Sequence, residues 1–158
     1  MAIITLNNNS LSSVTSLPAG VGGKVLQVVT ATDSTERTTT STSFVTASNT
    51  LAVNITPSAT SSKIFVTASF GYVTPASTST LYITLNRDST NLGDSTHGFA
   101  SVFDGSSYQY AHTTLQILDS PSTTSQITYQ PYIKVASGTG RLNNSGALST
   151  ITAYEISG

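Results

Sequence analysis

Apolar residues in this chain recur at every second position, the spacing that puts alternate side chains on one face of a β-strand. Ile64, Val66, Ala68, Phe70 and Tyr72 alternate with Lys63, Phe65, Thr67 and Ser69, which predicts a long strand with one apolar face. Leu81, Ile83 and Leu85 interleave with Tyr82, Thr84 and Asn86, and Leu51, Val53 and Ile55 with Ala52 and Asn54. Ile127, Tyr129, Ile133 and Val135 share a parity, as do Ala111, Thr113, Leu115 and Ile117, and a last strand is predicted over 150–156. No window combines good helix formers with an apolar stripe of period 3.6, and β-branched Thr, Val and Ile dominate.

Between these runs stand turn signals with a mechanism. Thr56-Pro57-Ser58, Asp104-Gly105, Asp119-Ser120-Pro121 and Ser137-Gly138 supply side-chain caps, a fixed φ or a positive φ. About eight to ten short strands separated in this way predict an all-β fold, an antiparallel β-sandwich of jelly-roll type. In YQPYIKV (129–135) Pro131 interrupts a strong strand pattern and removes a ladder donor, so an edge position or a bulge is expected there. In ITPSATSSKI (55–64) Pro57 ends one strand and small polar residues lead into the next, leaving Ile55 and Ile64 on core faces. In LDSPSTTS (118–125) Asp119 is expected to accept backbone N–H groups ahead of Pro121 and start the turn.

The sandwich pattern is expected over 23–158. Residues 1–22 differ: an apolar snippet, an Asn cluster and LPAGVGG precede the regular alternation. They are expected to form an arm or linker, with Ile3, Ile4, Leu6, Leu11 and Val14 as candidate anchoring residues. The start MAIITLNNNS carries no basic n-region and too short an apolar run for a signal peptide. No stretch approaches the roughly 18 apolar residues of a membrane span, so no membrane insertion is expected.

Composition narrows the function. Charged residues make up 8% of the chain, with a formal net charge of -1, against about 25% charged in ordinary soluble proteins. The basic residues are scattered singly, so no patch neutralises a run of phosphates and no nucleic-acid partner is expected. About a third of the residues are Ser or Thr, so hydroxyls stand where charges usually do. Such a surface depends little on screened charge pairs and suits exposure to variable salt. With 0 cysteines, disulfides, thiolate metal sites and cysteine nucleophiles are excluded.

Candidate chemistry is sparse. Asp94 and His97 lie three apart in a Gly-containing loop without helical character, where that spacing does not define a metal site, and a loop histidine is the simpler reading. No GxSxG elbow, GxxxxGK[ST] loop or GxGxxG turn occurs, so no enzyme activity, nucleotide or other cofactor is expected. The most informative constellation is SYQYAHTTLQIL (107–118). If Leu115 and Ile117 face the core, Tyr108, Tyr110, His112 and Thr114 face away from it. Tyrosine is amphipathic and enriched at protein contacts, which makes Tyr108, Tyr110 and His112 a candidate subunit interface; covering an exposed sheet face or filling the core are the alternatives.

GGKVLQVV (22–29), ITPSATSSKIFV (55–66), LDSPSTTS (118–125) and the ending STITAYEI (149–156) together resemble a set of marine bacteriophage virion proteins described as tail-fibre or structural proteins. The resemblance covers most of 22–158. It implies a compact sandwich similar to trimeric jelly-roll knobs, carried on the outside of a particle assembled in a host cytoplasm, and it implies no catalytic residues. Longer relatives append such a domain to further fibre segments, whereas only a short arm precedes it in this sequence. A capsid decoration, cement or short head-fibre protein is therefore as well matched as a tail fibre. The expected partners are other copies of the chain in a homotrimer and other virion proteins, such as the major capsid protein or a tail component. A receptor- or carbohydrate-binding tip, contacting host surface glycan through aromatic and polar residues such as Tyr108, Tyr110, Asp104 and His97, is the alternative.

Overall fold

The computed structural model describes residues 24–75, 79–105 and 108–158. Among them are twelve strands: β1 (Val25–Asp33), β2 (Arg37–Thr39), β3 (Val45–Thr46), β4 (Val53–Ile55), β5 (Lys63–Val73), β6 (Ser79–Arg87), β7 (Thr90–Asn91), β8 (Ala100–Asp104), β9 (Tyr110–Asp119), β10 (Ile127–Val135), β11 (Gly140–Leu142) and β12 (Ser149–Ile156). The only helical element among the described residues is a single 3-10 turn, Asn144–Gly146. The candidate arm residues Ile3, Ile4, Leu6, Leu11 and Val14 lie outside the described residues.

Every strand pairing is antiparallel, in two sheets. In the first, β5 pairs with β9 along one side and, along the other, with β12 and then β11. β1 adds to β12 and β2 to β11, so β1 with β2 and β11 with β12 each form one interrupted lane. In the second, β10 pairs with β6 on one side and with β4 and then β3 on the other, while β8 and β7 share the far side of β6. Merging β1/β2, β3/β4, β7/β8 and β11/β12 leaves eight lanes, and in chain order the sheets run 1-8-3-6 and 2-7-4-5. That order, with the first lane beside the last, is a jelly roll.

The core lies between the sheets and follows the period-2 pattern. Ile64, Val66, Ala68 and Phe70 of β5 are fully buried against Leu81, Ile83 and Leu85 of β6 and Tyr129 and Ile133 of β10. Each large apolar side chain so buried contributes roughly 1.5–3 kcal/mol. Ile55 and Ile64 both sit on core faces at the two ends of the 56–62 connection, as the sequence predicts.

Three local expectations need correction. β10 is an interior strand, and Pro131 sits at its centre opposite Leu85 with no register shift. Its carbonyl accepts the Ala47 N–H at 3.0 Å, so its missing donor faces the seam where β4 gives way to β3, not the β6 ladder. Asp119 does not start the following turn: its carboxylate points inward to Arg87 and to the Tyr129 hydroxyl, and Ser122 at φ 52 makes the bend beyond Pro121. Thr84 and Asn86, on the outward parity of β6, are buried; over Thr84 the 91–99 loop folds back, with Gly93 and Phe99 against it.

Candidate functional site

The parity that sends the apolar side chains of the first sheet inward sends a different set outward, and strand register aligns that set into rows. Val28, Tyr154, Phe65 and Leu118 are successive partners across β1, β12, β5 and β9. Phe65 and Tyr154 stack at the centre of this row with ring centroids 6.1 Å apart, while Val28 and Leu118 at its ends are each 52% exposed. The next row is Thr30, Thr152, Thr67 and Gln116, and the next Thr32, Thr150, Ser69 and Thr114. Beyond it Gly71 stands opposite His112. Lys63 marks one end of this face and Arg141, ion-paired to Glu36 at 2.8 Å, the other. Between them no Asp, Glu, Lys or Arg occurs in any row.

Hydroxyls on the face bond to one another. Thr30 Oγ1 lies 3.1 Å from Thr152 Oγ1 and 3.1 Å from the Ile151 carbonyl. Thr114 Oγ1 donates to Ser69 Oγ at 3.0 Å, and Ser69 Oγ lies 3.3 Å from His112 Nδ1. Among the described residues no carboxylate is hydrogen-bonded to His112, so this exposed Ser–His pair lacks the orienting group that general-base activation of a serine uses.

Of the sequence-predicted interface residues, Tyr110 and His112 lie on β9 of this sheet and Tyr108 lies just before it. Tyr110 is 68% and Tyr108 48% exposed, and His112 is exposed, all turned away from Leu115 and the core. Tyr110 and His112 border a depression of about 230 Å³ with Gly71, Asn144 and Ala147. Its floor is Gly71, where a Cβ would stand 3.2 Å from Ala147. The 143–148 turn that closes it carries no alternation, so strand parity did not point to it. It is held by Asn143, whose N–H bonds the Gly71 carbonyl, whose Nδ2 donates to the Thr35 carbonyl and whose Oδ1 accepts the Ser149 hydroxyl.

His97 is not brought to this face. It stacks on Tyr82, on the outer side of the second sheet, at 5.9 Å between ring centroids. Lys134 of the same sheet lies over Phe44 at 4.6 Å and over Tyr82 at 5.0 Å. Asp94 caps its own loop: its Oδ1 accepts the N–H groups of His97 and Thr96, and these bonds hold its carboxyl below the usual range. Among the described residues no three His, Asp or Glu side chains converge.

The remaining inward carboxylates hold the fold. Burial alone would raise the Asp33 carboxyl, but the Ser48 hydroxyl, the Thr35 N–H and Arg37 outweigh it and hold the group down. Asp119 receives Arg87 at 2.7 and 2.9 Å and the Tyr129 hydroxyl at 2.6 Å; burial and that carboxylate push the Tyr129 hydroxyl far up. Among the described residues no helix is long and apolar enough to cross a membrane.

No family model matches the chain, and no curated protein does. Among solved structures it is similar to one described as the structure of infectious bursal disease virus Gt strain, with a TM-score of 0.39 and 15% identity. That likeness covers 84% of this chain and 38% of the other, so this chain spans well under half its neighbour's length.

Proposed function

We propose that this chain is a non-enzymatic structural protein of a bacteriophage virion, displayed on the outside of the particle as a decoration or cement protein or as a fibre component, and assembled as a homotrimer. The observation that carries this reading is where the ionisable groups are placed. Asp33, Asp119 and Glu155 are turned into the sandwich and engaged in bonds that hold turns and strands, while the outer face of the first sheet carries hydroxyls and apolar side chains. The resemblance of ITPSATSSKIFV and LDSPSTTS to virion proteins supports the same reading. Its partners are then further copies of the chain and a capsid or tail component, and residues 1–22 are the anchoring arm. Labelling this chain on intact particles tests it: a regular pattern of label on head or tail is expected, and particles carrying no label would overturn it. Deleting residues 2–16 is expected to abolish incorporation.

A receptor- or glycan-binding tip is the second reading, supported by the depression beside Tyr110, His112 and Asn144, where an aromatic ring adjoins polar groups. A glycan array is the test. Binding lost in Tyr110→Ala supports it, and a signal no higher than that of an unrelated β protein removes it.

A further inference from the structure

We propose that the outer face of the β1–β12–β5–β9 sheet is a self-association surface whose occupant is another copy of this chain. Three features of the face converge on that partner.

The first is charge. Between Lys63 and Arg141 the rows contain no Asp, Glu, Lys or Arg. Where copies of one patch gather about a symmetry axis, residues of the same set are brought together, so any excess of one sign repels itself and any buried ion must be desolvated. Between Lys63 and Arg141 this face has neither penalty, and it offers no cluster of charge to an acidic or basic partner.

The second is how the hydroxyls are used. Thr30 is bonded to Thr152 and the Ile151 carbonyl, and Thr114 to Ser69. A polar group that already has its hydrogen bond loses little on leaving water. The row from Val28 to Leu118 supplies apolar area to bury, and its two end residues are half-exposed.

The third is size and shape. Four lanes at about 4.8 Å spacing and the length of β5 at about 3.3 Å per residue give a footprint of roughly 600–700 Å². Specific protein interfaces take roughly 600–1,000 Å² from each partner, so the face reaches the lower end of that range. The opposite sheet differs: the 91–99 loop lies over its outer side, and Lys134 is set between Phe44 and Tyr82 there.

The test is sedimentation velocity of the full chain from 1 to 100 μM, beside Thr67→Lys at the centre of the face and Thr128→Lys on the outer side of the second sheet. The expected result is that the wild type and Thr128→Lys sediment as two or more copies, while Thr67→Lys shifts to monomer with at least a tenfold weaker association and an unchanged far-ultraviolet spectrum. Gln116→Lys, in the same row, serves if Thr67→Lys does not fold. Because the chain has 0 cysteines, Thr67→Cys under mild oxidant gives an independent readout, with crosslinking expected there and not for Thr128→Cys. A wild type that is monomeric at 100 μM, or a folded Thr67→Lys that assembles like wild type, overturns the inference. The outcome is separable from the virion location: a monomer that labels particles sinks this inference and the homotrimer but leaves the virion reading standing, and an assembling chain absent from particles sinks only the virion reading.

Discussion

Glu155, on the last strand, accepts both the backbone N–H and the hydroxyl of Ser58 at 2.6 Å, across 97 residues of sequence. Its other oxygen accepts Gln27 Nε2 at 2.6 Å, and the same amide donates to the Thr56 carbonyl. One carboxylate, 1% exposed, thus ties the first lane, the last lane and the 56–62 connection together. Burial alone would raise its pKa, but the bonds from Ser58 and Gln27 prevail and hold it at about 2, against 4.5 for a free group. A carboxyl depressed on folding contributes stability that is complete above the unfolded value and lost as pH falls through the folded one. Here the window runs from about pH 4.5 down to about pH 2 and is worth ~3 kcal/mol. Glu155→Gln is expected to lose ~2–4 kcal/mol at pH 7 in urea unfolding, and to flatten the decline between pH 5 and pH 2. A variant that keeps the wild-type acid limb would show that another group carries it.

Tyr129 and Arg87 share Asp119 beneath the end of β9, and the two bonds differ in consequence. Removing the Tyr129 hydroxyl leaves the carboxylate with its ion pair, so Tyr129→Phe is expected to cost ~1–2 kcal/mol. Asp119→Ala strips both partners and leaves a guanidinium beside the core, with an expected cost of ~3–4 kcal/mol. Chemical denaturation of the two variants checks the ranking, and the reverse order would mean that Arg87 finds water more readily than this geometry implies.

The inward and outward parities of β5, β6 and β10 were legible because strand alternation is local and does not depend on the partner. The outward turn of Tyr110 and His112 followed from the parity of β9, while Tyr108, also exposed, lies just before that strand. Pro131 misled because a single sequence shows a lost donor without showing which side of the strand it faces, and the strand on that side changes from β4 to β3 beside it. The burial of Thr84 was hidden because it comes from a loop returning over the sheet, which no period encodes. The rows across the outer face needed the register of four lanes distant in sequence, so the charge-free surface was invisible until the strands were paired.

That account of Pro131 makes its own prediction. Tyr132 pairs with Thr46 and Ile133 with Val45, which puts position 131 opposite Ala47, whose N–H already bonds the Pro131 carbonyl. In Pro131→Ala the restored N–H points at the Ala47 carbonyl and completes the pair. The bond gained, ~0.5–1.5 kcal/mol, offsets the ~0.4–1 kcal/mol by which proline restricts the unfolded chain. Thermal unfolding is expected to move little, by less than ~1 kcal/mol in either direction, whereas an edge or bulge position would predict aggregation of the variant.

The loop over β6 depends on Gly98. This residue has φ 70, a backbone region that an L side chain enters at ~1–2 kcal/mol. Its neighbours leave no room as well: a Cβ would meet the Ile83 carbonyl group and would lie 3.0 Å from the Thr84 Cβ. The Gly98 N–H donates to the Asp94 carbonyl at 2.8 Å, and next to it the Phe99 N–H donates to the Ile83 carbonyl at 2.8 Å, so displacing Gly98 lifts the loop from the strand. Thr84, which donates to Asn91 Oδ1 at 2.5 Å, would then lose both its cover and its partner. Gly98→Ala is therefore expected to cost ~2–4 kcal/mol in chemical denaturation. Hydrogen exchange is expected to accelerate at the Leu92 and Phe99 amides, which bond to β6, while the amides between β5 and β9 keep wild-type protection relative to global stability. Uniform acceleration across both sheets would mean that the loop and the sandwich unfold as one unit.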